Sequence, residues 1–172
     1  MTASLVTVSI EVAASPQIAF QVFTTLIDTW WLRGPKHRFR PPWSGKLVFE
    51  PRVGGRLLEE YVDGTSFVIG RVSHWSAGER LVLSWHLPNF NAGETTEVEV
   101  RFAAIDGGTR VSVEHRGWDR LRPDHPARHG KAGRDYEYMK ARLWADNLTA
   151  LRAFIEVQTT CQQSAGAYRN EP

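Results

Sequence analysis

The sequence predicts an α+β fold in which a curved antiparallel β-sheet wraps around one long C-terminal α-helix. Three observations carry this. Phe49 to His86 (FEPRVGGRLLEEYVDGTSFVIGRVSHWSAGERLVLSWH) divides into successive strands at Gly54-Gly55, Asp63-Gly64 and Ala77-Gly78. Asp-Gly between alternating apolar runs signals a hairpin, because glycine accepts the positive φ of a tight turn. In Glu94 to Ile105, Val98, Val100 and Phe102 alternate with Glu97, Glu99 and Arg101, as in an antiparallel sheet with one buried and one wet face. From about Arg134 the apolar period changes from two to 3.6.

The elements follow in order. Thr7 to Val12 alternates with β-branched residues and reads as the first strand. Ser15-Pro16 offers a helix cap followed by proline in the first turn, and Ile18, Ala19, Val22 and Phe23 form a stripe, predicting a helix over 16–24. A short helical turn follows around Leu26 to Trp31. Arg33 to Ser44, basic and proline-rich, reads as a solvated loop. Strands are predicted at Leu47 to Glu50, Arg56 to Tyr61, Thr65 to Trp75, Arg80 to His86, Glu94 to Ile105 and Thr109 to Arg116. Gly117 to Gly133, rich in Pro, Gly, His and Arg, reads as a long loop, either a lid over the pocket mouth or a mobile surface loop with no role. Tyr136, Met139, Leu143, Asn147, Leu151 and Phe154 then lie on one helical stripe, with Leu148 and Ile155 beside it, predicting a helix over 134–157. Residues 1–157 are expected to form a single domain. Residues 158–172 are a polar C-terminal tail expected to be disordered.

A strand and helix, a run of antiparallel strands and one long helix is the order of the helix-grip fold. A single helix over a curved sheet leaves space for a cavity. Gly54-Gly55 before a strand, Gly70-Arg71-Val72 and Leu81-Val82-Leu83-Ser84-Trp85 carry a resemblance to the START-like (SRPBCC) superfamily. Within it, the chain resembles homologues of the activator of heat shock protein 90 ATPase, from about Val6 to Val157. The resemblance implies the same helix-grip architecture. Trp144, Leu148 and Leu151 match the spaced Trp and leucines of the family's last helix. Leu143 stands where many relatives have glycine, which is expected to narrow the cavity.

At 172 residues and a net charge of +2, the balance does not suggest a nucleic-acid partner. The lone cysteine, Cys161, has no intrachain partner, which fits a reducing cytoplasm. No signal peptide and no apolar run of about eighteen residues is visible, so a cytoplasmic protein without a membrane span is expected. Oligomeric state, including a homodimer, is left open.

The cavity candidates are Trp31, Glu59, Tyr61, Trp85, His115, Trp118, Tyr136, Met139, Leu143 and Asn147. Glu59 and Tyr61 share a strand face with Leu57. If that face is concave, they are polar groups in an apolar cup and could orient a ligand; parity does not decide. His115 continues the Val111, Val113 face inward, where a buried imidazole must hydrogen-bond and could grip a ligand, although a satisfied core histidine is the commoner role. Seven tryptophans suit the walls of a site for flat apolar molecules, and equally suit a core. His125 and His129 have i, i+4 spacing, but Pro123 and Pro126 break the helix a metal site there would need, so no metal and no cofactor is expected. No phosphate loop, nucleophile elbow or Cys-x-x-Cys pair is present.

Three functions are compatible with this reading. The first is a protein binding a small apolar or aromatic molecule between sheet and helix, with no assigned reaction. The second, implied by the resemblance, is a co-chaperone-like interaction module with a chaperone partner. The third is a cyclase- or hydratase-type enzyme using the same cavity, although the reading leans away from an enzyme.

Overall fold

From the second strand onward each strand pairs with its successor, and the first strand pairs with the last. The strands are β1 (Leu5–Val12), β2 (Lys46–Phe49), β3 (Arg56–Glu60), β4 (Ser66–Ser76), β5 (Arg80–Trp85), β6 (Thr96–Ile105) and β7 (Gly108–Arg116). They lie in the order β1-β7-β6-β5-β4-β3-β2, all neighbours antiparallel. The computed structural model describes residues 5–167. Every predicted strand is present with its ends within two residues of expectation.

The sheet curls because its ladders are interrupted. Register shifts occur between Leu57 and Leu58 and between Val72 and His74; such bulges bend a strand and increase its twist. At Gly70 a Cβ would lie 1.9 Å from the Ser84 carbonyl oxygen, so only glycine lets β4 approach β5 there. Helix α1 (Pro16–Thr24) starts where predicted, with Ser15 Oγ accepting from the Ile18 N–H at 3.4 Å and proline in the first turn. Helix α2 (Ile27–Trp30) follows after a kink.

Helix α3 (Gly133–Ala167) lies across the concave face and packs along β1. Its buried face comprises Tyr136, Lys140, Trp144, Asn147, Leu148, Leu151 and Ile155. That is one residue round from the predicted stripe: Met139, Leu143 and Phe154 sit at its edge, half-buried. The shift brings Lys140 inside and leaves Leu143 off the core, so Leu143 does not narrow the interior as expected. The helix also continues past 158, correcting the expectation of a disordered tail as far as Ala167. No breaker occurs between Gln158 and Ala165, and extending a formed helix costs little. The remainder of the predicted tail, 168–172, lies outside the described residues.

Leu151 is fully buried under this helix. Leu151→Ala is expected to lower the unfolding free energy by about 2–5 kcal/mol, as core truncations do. Urea denaturation checks this, and a loss below about 0.5 kcal/mol would contradict the packing described.

Candidate functional site

The space between sheet and α3 is largely filled by aromatic side chains. Trp31 lies 6.0 Å from Trp85 and 5.4 Å from Trp144, centroid to centroid, and Trp85 lies 5.5 Å from Trp144. What remains, under the 33–45 loop, is a narrow void bounded by Ile27, Trp31, Phe39, Leu47, Leu57, Ile69 and Trp85, with no room for a water-sized sphere. Developed ligand pockets run to several hundred Å³.

One wall of this void is the basic loop, and it is not a solvated one. Arg38 is buried and its guanidinium gathers the loop around itself. Nε donates to the Leu32 carbonyl at 3.2 Å, and one terminal nitrogen to the Trp31 carbonyl at 3.1 Å. The other donates to Asp28 Oδ1 and the Gly45 carbonyl, both at 2.9 Å. Asp28 Oδ1 also accepts from the Leu47 N–H at 2.9 Å. Burial works against the Asp28 carboxylate, but the Leu47 N–H and Arg38 outweigh it and hold its pKa below the ordinary range.

This clasp lays Phe39 over the concave face and aims its N–H at Glu59. Leu47 pairs with Glu59 and Phe49 with Leu57, and all four share the inner face, which answers the parity question. Glu59 is fully buried. Its Oε2 accepts from the Phe39 N–H at 3.0 Å and the Tyr61 hydroxyl at 2.7 Å. Its Oε1 is buried without a hydrogen-bond partner among the described residues. Gly45 closes over the carboxylate so tightly that a Cβ would lie 2.4 Å from Glu59 Cγ. Tyr61 is half-buried, and burial, with the hydrogen bond to Glu59, raises its pKa.

His115 is committed on both nitrogens. Trp144 Nε1–H donates to Nδ1 at 3.1 Å; indole only donates, so Nε2 carries the proton and donates to Thr96 Oγ1 at 2.8 Å. Thr96 in turn donates to the Trp85 carbonyl at 3.3 Å. Burial, reinforced by Lys140, keeps the imidazole pKa well below its ordinary value, so it is a neutral core group. Asn147 is likewise engaged: Oδ1 accepts from the Leu32 N–H at 3.0 Å, and Nδ2 donates to the Leu143 carbonyl at 2.9 Å and lies 3.1 Å from His37 Nδ1. It brackets the loop to α3.

Trp118 and Tyr136 lie apart from the void, in a smaller cluster with Leu121, edged by Leu87, Phe90 and Met139. The 117–133 segment is more ordered than the long loop expected. It forms two tight helical turns, Trp118–Arg120 and Pro126–Arg128, and buries Trp118, Leu121, His125 and Ala127. His125 is not solvated: Nε2 meets Glu94 Oε2 at 2.9 Å and Nδ1 accepts from the Ala127 N–H. Among the described residues no cluster of three or more His, Cys, Asp or Glu side chains could hold a metal.

The candidate residues thus separate into Trp31 and Trp85 lining the void, Glu59 and Tyr61 bonded behind Phe39, His115 and Asn147 in structural bonds to α3, Trp118, Tyr136 and Met139 in the second cluster, and Leu143 outside both. Sequence reasoning missed Asp28, Arg38, Phe39, Gly45, Thr96 and Lys140. Only Lys140 left a signal there, since Tyr136, Lys140 and Trp144 recur at helical i, i+4 spacing.

A curled seven-stranded antiparallel sheet with a long helix across it defines an α+β helix-grip protein of the START-like class. A family model, the Activator of Hsp90 ATPase homolog 1-like protein, matches residues 13–151, and the chain belongs to that family. Solved structures agree in fold. A Mesorhizobium loti protein is 18% identical with a TM-score of 0.62, covering 88% of this chain and 96% of that one. The Aha1 dimer of Colwellia psychrerythraea is 16% identical with a TM-score of 0.61, covering 89% and 96%. DynU16, from the dynemicin biosynthetic locus, is 17% identical with a TM-score of 0.62, covering 89% of this chain and 47% of that one. No curated protein matches the chain by sequence. Among the described residues no helix is long and apolar enough to cross a membrane.

Two expectations follow. Arg38→Met leaves Asp28 without its buried partner and several carbonyls without donors, and should cost about 3–5 kcal/mol, measured by urea denaturation. Lys140 is buried, and burial lowers its pKa from 10.5 to about 8. As pH falls, the unfolded chain takes up this proton first. Stability should therefore decline between about pH 10.5 and about pH 8 and level off below. Lys140→Met removes that component and should raise stability at pH 7 by roughly 3 kcal/mol, with the gain vanishing above about pH 10.5.

Proposed function

We propose that the protein binds a small, largely apolar or aromatic molecule at the concave face, with Glu59 receiving a hydrogen-bond donor from it. The observation that carries this reading is Glu59 Oε1, a buried carboxylate oxygen without a partner among the described residues, on the sheet face whose Leu47 and Leu57 line the aromatic-walled void. A buried acceptor left unpaired costs about 1–3 kcal/mol, which a ligand N–H or O–H would recover. Because the void is narrow, binding displaces Phe39 and the 33–45 loop. The bonds around Arg38 act as the latch of that movement.

Two other readings carry less support. An enzyme using His115 as a base is disfavoured, since both ring nitrogens are engaged. An interaction module related to activators of the Hsp90 ATPase draws on the family relationship. The exposed large apolar side chains, such as Ile18, Val53, Val62 and Val157, lie on different elements. One similar structure is a dimer, and sedimentation of this chain decides whether it too self-associates.

Indole and benzofuran test the binding reading, being alike in shape but only indole carrying an N–H. Titrated against ¹⁵N-labelled protein, indole should shift the Phe39 amide saturably and bind about tenfold tighter than benzofuran. Glu59→Leu should remove the preference. If neither compound moves the Phe39 amide or the Trp31 and Trp85 indole signals, and native mass spectrometry of protein from its own host finds no co-purifying molecule, the reading fails.

A further inference from the structure

We propose that Lys140, Arg128, Trp118 and Tyr136 form a second site, which binds an oxyanion: the carboxylate or phosphate group of a small molecule. The four residues surround one phenol ring. Arg128 Cζ lies 5.2 Å and Lys140 Nζ 5.4 Å from the Tyr136 centroid, and the Trp118 ring lies 5.2 Å from it. Lys140 Nζ is also 4.8 Å from the Trp118 ring.

Three polar atoms here are buried without a hydrogen-bond partner among the described residues: Trp118 Nε1, Arg128 Nε and the Tyr136 hydroxyl. Outside the Glu59 carboxylate they are all such atoms the described side chains contain, and they fall in one cluster. Indole and guanidinium nitrogens only donate, an ammonium only donates, and a phenol donates readily. The cluster therefore holds more donors than acceptors, the phenol oxygen being the one acceptor among these four side chains.

The Trp118 and Leu121 carbonyls receive Arg128 through its terminal nitrogen, at 2.6 and 3.0 Å. Glu94, on the facing connection, is held by the Asn91 N–H at 2.7 Å and by His125 at 2.9 Å. The local charge is also one-sided. Burial, with Lys140 adding to it, lowers the pKa of both His115 and His129, and burial alone accounts for the lowering of Lys140. A neutral carbonyl ligand would satisfy the donors and leave this charge; an oxyanion satisfies both, through charge-assisted hydrogen bonds.

The site belongs to the cluster at the start of α3 and not to the void beside Glu59, so it stands or falls independently of the binding proposed there. The probes are inorganic phosphate and benzoate, each replacing chloride at constant ionic strength. The readout is the indole N–H resonance of Trp118 in ¹⁵N-labelled wild-type protein, identified by its absence in Trp118→Phe. At least one anion should shift this resonance saturably, and Lys140→Met should weaken that anion's binding by about tenfold or more. A response to benzoate alone assigns the site to organic carboxylates, and a response to phosphate alone to phosphorylated molecules. The proposal is overturned if neither anion produces a saturable shift in the wild type, or if Lys140→Met binds as the wild type does.

Discussion

The concave face of this protein depends on one buried guanidinium. Arg38 spends its donors on Asp28 and on the carbonyls of Trp31, Leu32 and Gly45. A loop crossing a sheet cannot leave those carbonyls dry and unpaired. With them satisfied, the 33–45 segment settles over the sheet, Phe39 meets Phe67 and Trp85, and the Phe39 amide reaches Glu59. Asp28 does double duty, since its Oδ1 also fixes the start of β2 through the Leu47 N–H. The arginine is thus the reason that the acidic group on β3 is buried at all.

The second determinant is how the grip is filled. Trp31, Trp85 and Trp144 pack at tilted and edge-on angles, the geometry aromatic quadrupoles favour. The bonds from Trp144 through His115 and Thr96 to the Trp85 carbonyl tie α3, β7, β6 and β5 together. Helix-grip architecture leaves room for a large pocket, but side chains decide whether that room stays open. Here they close it to a narrow void walled in part by Phe39, whose amide is bonded to Glu59.

Charge is handled in opposite ways on the two faces of the molecule. On the outer face Glu99 is buried, yet Arg80, Arg101 and Arg116 all reach it. Burial raises its pKa, but Arg80 and Arg116 outweigh this and hold the carboxylate below its ordinary range. Among the described residues Lys140 leans on the aromatic faces of Trp118 and Tyr136. Cation–π attraction offsets a part of the lost hydration, and the ammonium remains the less stable form to the extent its lowered pKa records. Among the described residues Glu99 is thus a buried charge with its countercharges in place, and Lys140 is a buried charge without one.

The sequence by itself determined the order and extent of nearly every element. Period-two alternation, Asp63-Gly64 and Asp106-Gly107, and the Ser15-Pro16 start are local signals, set by backbone sterics and by one face being wet. The helical period after Arg134 was equally plain, but its phase was not. Met139 and Leu143 are as apolar as the true face, and packing against β1 turned Lys140 and Trp144 inward instead. Only the tertiary structure decided that Arg38 is buried while its basic neighbours form the loop around it, because the choice rests on carbonyls contributed by residues 31, 32 and 45. It also decided that Glu59 faces inward, since the inner face of β3 is fixed by pairing with β2, and that Trp118 and Tyr136 join Lys140 away from the void. Contacts between residues far apart in the chain leave no periodic trace, and the candidate sites are made of such contacts.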